Sequence, residues 1–143
     1  MKTTQTLLKL ILLLFLASDI QSCKKSDTDT QSPSIVMLEP NSGDQFSSGS
    51  TLSVIATFHD YIELDKYRIV IRWNTDVQNI SPNPETAAWD FLVEEPLSGN
   101  NKSINKIIIV PANIKLGNYD LILYCIDKAG NEVSKTEIVK IVG

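Results

Sequence analysis

Residues 117–131, GNYDLILYCIDKAGN, constrain this chain more than any other stretch. Leu121, Leu123 and Cys125 alternate with Asp120, Ile122, Tyr124 and Ile126, the period of two expected of a strand whose faces differ. Ile122 and Ile126 make the second face partly apolar as well, which predicts a central position in its sheet. Lys128-Ala-Gly-Asn then predicts a tight turn, because Gly130 and Asn131 tolerate positive φ at little cost. Residues 135–142 supply the return strand. A central strand closing into a hairpin needs further strands beside and above it, and the preceding residues provide them.

Residues 34–38 predict a short strand stopped by Glu39-Pro40, since proline cannot donate to a ladder. Asn41-Ser-Gly-Asp is a turn cluster. Residues 51–59 place Leu52, Val54, Ala56 and Phe58 on one face; Ser53, Thr57 and His59 share the other with Ile55. Residues 66–73 put Tyr67, Ile69, Ile71 and Trp73 together, opposite Lys66, Arg68 and Arg72. Residues 104–110 form a strand that Pro111 ends. Residues 74–103, interrupted by prolines, Gly99 and asparagines, predict an irregular connection, with a short strand or helical turn open to residues 86–94. Short strands, turn signals and little helical periodicity predict an all-β fold. We expect an immunoglobulin-like antiparallel β-sandwich of about seven strands over residues 34–143, with 117–142 as its closing hairpin. Tyr119, at the start of the central strand, is placed to make the hydrogen-bonded corner of such sandwiches.

The N-terminus reads differently. Lys2 and Lys9 bracket a basic start, and residues 7–17 form an apolar core of 11 residues. That is roughly half the length of a bilayer-spanning helix. It predicts a lipoprotein signal peptide over residues 1–22. Ile20-Gln21-Ser22-Cys23 resembles a bacterial lipobox, which makes Cys23 the expected site of lipidation. Acyl chains there would hold the protein at a membrane, since each buried CH₂ contributes about 0.8 kcal/mol. Residues 23–33 lack large apolar groups and predict a flexible tether. Asp27 and Asp29 in that tether resemble acidic signals that send lipoproteins to the cell surface; a plain solvated linker is the alternative. The only other cysteine, Cys125, sits in an apolar pattern and is expected to be a buried free thiol.

Removing residues 1–22 takes away Lys2, Lys9 and Asp19. The 13 basic and 17 acidic residues become 11 and 16, a net charge of −5. An acidic domain without a basic stripe argues against nucleic acid as a partner.

His59 is the only histidine. Neighbours on a strand point to opposite faces, so Asp60 cannot assist it, and we expect no catalytic residues and no enzyme. Asp60, Glu63, Asp65, Asp127, Asn131 and Glu132 fall on predicted inter-strand turns. Calcium takes about 6–8 oxygen ligands and uses such turns in extracellular modules. Asp and Asn also favour turns for backbone reasons alone. The candidate metal ligands are Asp60, Asp65, Asp127 and Asn131, with calcium the only cofactor considered. Trp73, Trp89 and Phe91 flank the long connection and are the candidate ligand-binding residues, with Trp89 as the anchor of a glycan or protein site.

Several segments together resemble a known family. They are Pro33-Ser-Ile35, Pro40-Asn-Ser-Gly43, and Gly49 with Leu52, Val54, Ala56, Phe58 and Asp60. Leu64, Tyr67, Ile69 and Ile71 follow, then Pro111-Ala112, Gly117, Tyr119, Asp127, Ala129, Gly130 and Asn131. In order and spacing these are similar to domain of unknown function 4625, immunoglobulin-like lipoproteins of Bacteroidetes-type bacteria. Members often carry a histidine-containing segment after the third strand; residues 73–79 here contain none, so no such metal site is carried over. The resemblance and the residues together lead to one expectation: a non-enzymatic outer-membrane lipoprotein, at the periplasmic face or the cell surface. It would act as an interaction module toward an unidentified protein or glycan. The alternative is a glycan- or calcium-binding surface module.

Overall fold

The computed structural model describes residues 28–76 and 81–143. The signal peptide and Cys23 lie outside the described residues. Among the described residues the eight strands in chain order are β1 (Ser34–Glu39), β2 (Gln45–Ser47), β3 (Thr51–His59), β4 (Leu64–Trp73), β5 (Phe91–Pro96), β6 (Asn101–Ile109), β7 (Gly117–Asp127) and β8 (Glu132–Val142). They form a three-stranded sheet, β1-β3-β6, and a five-stranded sheet, β2-β8-β7-β4-β5. This is an all-β, immunoglobulin-like sandwich.

The sequence periodicity explains the layering. Leu52, Val54, Ala56 and Phe58 of β3 are fully buried and face Tyr67, Ile69 and Ile71 of β4 and Leu121, Leu123 and Cys125 of β7 across the sandwich. Each aliphatic or aromatic side chain buried this way stabilises the fold by about 1.5–3 kcal/mol. β7 is central, between β4 and β8. Ile122 and Ile126 on its outer face are also buried, which explains why that strand is apolar on both sides. Cys125 is a free, buried thiol. The outer face of the three-stranded sheet, by contrast, keeps Val36, Leu38, Ile107 and Ile109 exposed.

Two regions differ from the sequence reading. The irregular connection is shorter than residues 74–103, because Phe91–Pro96 pairs with Lys66–Ile71 and Asn101–Ser103 with Thr57–His59. β2 is an addition: three residues pair in parallel with Lys140–Val142 of β8. Too short to carry a periodic signal, it exists only because β8 offers an edge.

The connections gather at two ends. At one end lie the β3–β4 turn, the β5–β6 turn, the β7–β8 turn and the incoming segment 28–33. Backbone hydrogen bonds knit them: Asp60 N–H to Asn100 C=O at 2.9 Å, Leu64 N–H to Gly99 C=O at 2.9 Å, Lys128 N–H to Glu63 C=O at 3.0 Å. At the other end the β4–β5 connection meets the β6–β7 connection, with Asn74 N–H donating to Asn118 C=O at 3.1 Å and Lys115 N–H to Ala87 C=O at 2.9 Å. The ten residues of β4 run from one end to the other, a span of roughly 30 Å at strand rise.

Candidate functional site

The first end is a carboxylate pole. Asp60 follows the last residue of β3, where the alternation that exposes His59 turns the next side chain inward; Asp60 is 2% exposed. Its Oδ2 accepts the N–H groups of Ile62 at 2.8 Å and Glu63 at 2.7 Å, so the carboxylate shapes the β3–β4 turn. Among the described residues its Oδ1 has no hydrogen-bond partner. A buried carboxylate oxygen left unpaired costs about 1–3 kcal/mol or more.

Asp127, also 2% exposed, ends β7. Its Oδ1 accepts Asn131 N–H at 2.8 Å and its Oδ2 accepts Asn131 Nδ2 at 2.7 Å, which closes the Lys128–Asn131 turn around one carboxylate. Gly130 takes φ of +91°, the freedom the turn requires, while Asn131 does not have positive φ. Asn131 Nδ2 also reaches the carbonyls of Asp29 at 3.2 Å and Gln31 at 3.3 Å, tying the incoming segment to the hairpin. Asp29 thereby joins the pole, its Oδ1 accepting Gln31 N–H at 3.0 Å.

One carboxylate oxygen each from Asp29, Asp60 and Asp127 lies within 4.8 Å of the others. Among the described residues no lysine, arginine or histidine forms an ion pair with any of the three. Their field reaches the core. Burial pushes the Cys125 thiol up to about 12, and the charges of Asp60 and Asp127 add to that rise. The thiol therefore stays protonated and unreactive at neutral pH. Chemically, the pole offers clustered hard oxygen donors.

The sequence-predicted metal ligands are thus partly assembled. Asp60, Asp127 and Asn131 come together; Asp65 does not. Asp65 Oδ1 instead accepts a charge-assisted hydrogen bond from Lys128 Nζ at 2.7 Å, and that bond holds its carboxyl below the usual range. The polar run around Asp29 predicts a tether, and no local signal marks Asp29 as part of a folded site.

The opposite end is a tyrosine pole. Tyr119 is fully buried; its Oη donates to Lys115 C=O at 2.6 Å and accepts Trp89 N–H at 3.2 Å. This is the corner expected from its position. Burial raises its pKa, partly offset by the Trp89 amide. Asn83 secures the connections: its Nδ2 donates to Ile114 C=O at 2.9 Å and its Oδ1 accepts Leu116 N–H at 2.7 Å. The three candidate ligand-binding aromatic residues gather around this corner. Trp89 is only 7% exposed and packs against Tyr119 and Phe91, with ring centroids 6.2 Å and 5.9 Å away. Trp73 meets the Tyr119 ring edge-on at 5.3 Å, and Lys115 Nζ covers its face at 4.4 Å. Phe91 packs against the core. All three pack around the tyrosine corner, which draws the β4–β5 connection inward, with Trp73 and Phe91 half-buried.

A family model described as "Domain of unknown function (DUF4625)" matches residues 21–142. No curated protein matches the sequence. Among solved structures, fibronectin(III)-like modules of CbhA from Clostridium thermocellum are similar over 76% of this chain and 94% of theirs, at 14% identity and a TM-score of 0.46. Spo0M, a sporulation control protein from Bacillus subtilis, is similar over 78% of this chain at 6% identity and a TM-score of 0.47; the chain spans 49% of its length.

Proposed function

The chain belongs to the DUF4625 family, and from that premise we propose that it is a non-enzymatic interaction module, lipid-anchored through Cys23 at the outer membrane. The observation that carries this reading is the separation of the two poles. The segment leading from Cys23 enters at the carboxylate pole, tied by Asn131 to the carbonyls of Asp29 and Gln31. The β4–β5 connection lies at the other end, held by Asn83, Tyr119 and Lys115. An anchor on Cys23 therefore turns the tyrosine pole away from the bilayer and presents it to partners.

Other features fit a module that binds rather than reacts. His59 is exposed at the end of β3, with its backbone carbonyl accepting Ser34 Oγ at 3.2 Å. The Cys125 thiol is kept protonated. The exposed Val36, Leu38, Ile107 and Ile109 are the kind of side chains that interaction surfaces carry.

Fractionation of cells expressing the full chain tests the anchor. The wild type should sediment with membranes, and Cys23→Ala should appear in the soluble fraction. Continued membrane association of Cys23→Ala would refute the lipid anchor.

A further inference from the structure

We propose that Asp29, Asp60 and Asp127 bind a divalent cation, calcium rather than zinc or magnesium, and that the ion fastens segment 28–33 to the sandwich. Two independent observations meet at this site. Three carboxylate oxygens lie within 4.8 Å of one another. One oxygen of Asp60, a side chain 98% removed from solvent by its 2% exposure, has no hydrogen-bond partner among the described residues. An oxygen buried that deeply without a donor is what a cation site looks like when the cation is left out of account.

The donor set favours calcium. Carboxylate and carbonyl oxygens are hard ligands, of which calcium takes about 6–8 at about 2.3–2.6 Å, and three oxygens within 4.8 Å of one another can share one ion. Magnesium, at about 2.0–2.1 Å, needs a tighter octahedron and keeps most of its water. Zinc favours imidazole and thiolate donors; the single histidine is exposed at the end of β3, and Cys125 is buried in the apolar core. Further oxygens are close at hand. The carbonyls of Asp29 and Gln31 converge on the Asn131 amide, whose own oxygen can replace its nitrogen by rotation.

The ligands come from three separate places: the incoming segment, the β3–β4 turn and the β7–β8 turn. Asp29 and Asn131 are 102 residues apart in sequence. Asp60 and Asp127 sit on turns of the sandwich, whereas Asp29 comes from the segment that Asn131 ties in. Ion binding and docking of segment 28–33 are therefore coupled. If the anchor reading above holds, the ion also fixes how the domain stands on its tether, because Asp29 follows Cys23 by six residues.

The test uses the full chain in detergent, stripped with EGTA and titrated with calcium chloride, then separately with magnesium and zinc chlorides. Calorimetry should give calcium a dissociation constant on the order of 10⁻⁴–10⁻³ M, the range of extracellular modules, with magnesium at least about tenfold weaker. Asp60→Asn keeps an acceptor for the turn and places an amide at the unpaired position. It should weaken calcium binding at least tenfold while leaving the melting temperature in EGTA unchanged or higher, which separates loss of a ligand from loss of folding. Asp29→Ala should weaken binding comparably. Amide exchange in residues 30–32 should slow on calcium addition in the wild type and not in Asp60→Asn. No heat and no melting shift with calcium up to about 10 mM would overturn the site. Calcium binding that depends on Asp60 but leaves exchange in 30–32 unchanged would overturn the fastening alone. Neither readout depends on Cys23, so failure of the anchor reading is separately visible.

Discussion

The two poles are built from the same materials, loops carrying Asp, Asn and aromatic residues at the ends of the same strands, yet they treat polarity in opposite ways. At the tyrosine pole the polar groups named above have neutral partners. Tyr119 Oη both donates and accepts, and Asn83 spends its amide on two backbone groups. At the carboxylate pole like charges converge, and one oxygen of Asp60 has no donor among the described residues. A buried polar group is a structural device when it is satisfied and a sign of a missing ligand when it is not. By that criterion the buried aromatic residues of the tyrosine pole serve its corner, and the carboxylate pole carries the proposed cation site.

The strongest attempt to break this contrast is Trp89→Ala. An exposed anchor would lose ligand affinity and little stability. A side chain 7% exposed, wedged between Tyr119 and Phe91, should instead cost about 3–5 kcal/mol, read as a lowered urea midpoint. A midpoint equal to wild type would return Trp89 to the surface and reverse the assignment of the poles. Next in size is Tyr119→Phe, which keeps the ring and removes only the hydroxyl. The Lys115 carbonyl and the Trp89 amide would both lose their partner, a cost of about 1–3 kcal/mol. Calcium should raise the wild type and Tyr119→Phe equally and leave this difference intact, since the lesion lies at the other end of β4.

Much of this was legible because strand periodicity is local. β3 matches the predicted residues 51–59 at both ends, since four apolar side chains alternate cleanly between Thr51 and His59. β7 and β8 follow from the Asp127–Asn131 turn, which also supplies two of the polar groups at the carboxylate pole, Asp127 and Asn131. What failed was non-local. β2 needs the edge of β8 to exist as a strand. Trp89 lies in a stretch broken by prolines, and only the hydroxyl of a residue 30 positions later turns it inward. Asp29 belongs to a run too polar to form a core of its own. Its place is set by contacts to Asn131 across nearly the whole chain, and no window of sequence contains both.

Asp65 gives the smallest expected effect and draws the boundary of the site most sharply. It sits on β4 beside the carboxylate pole and was as good a ligand candidate by sequence as Asp60. The difference is its partner: Lys128 Nζ lies 2.7 Å from Oδ1, and both side chains are substantially exposed, at 34% and 52%. The hydrogen bond from Lys128 lowers the Asp65 pKa. A carboxyl depressed in the folded state adds stability above its unfolded value and loses it as pH falls through the folded value. Here solvent and salt screen that contribution. Asp65→Asn should therefore melt with the wild type at neutral pH and physiological salt, and bind calcium with unchanged affinity. If Asp65→Asn weakened calcium as much as Asp60→Asn, the ion would be held by the exposed rim of the turns. The unpaired oxygen of Asp60 would then need another explanation, and burial without a partner would no longer distinguish the two poles.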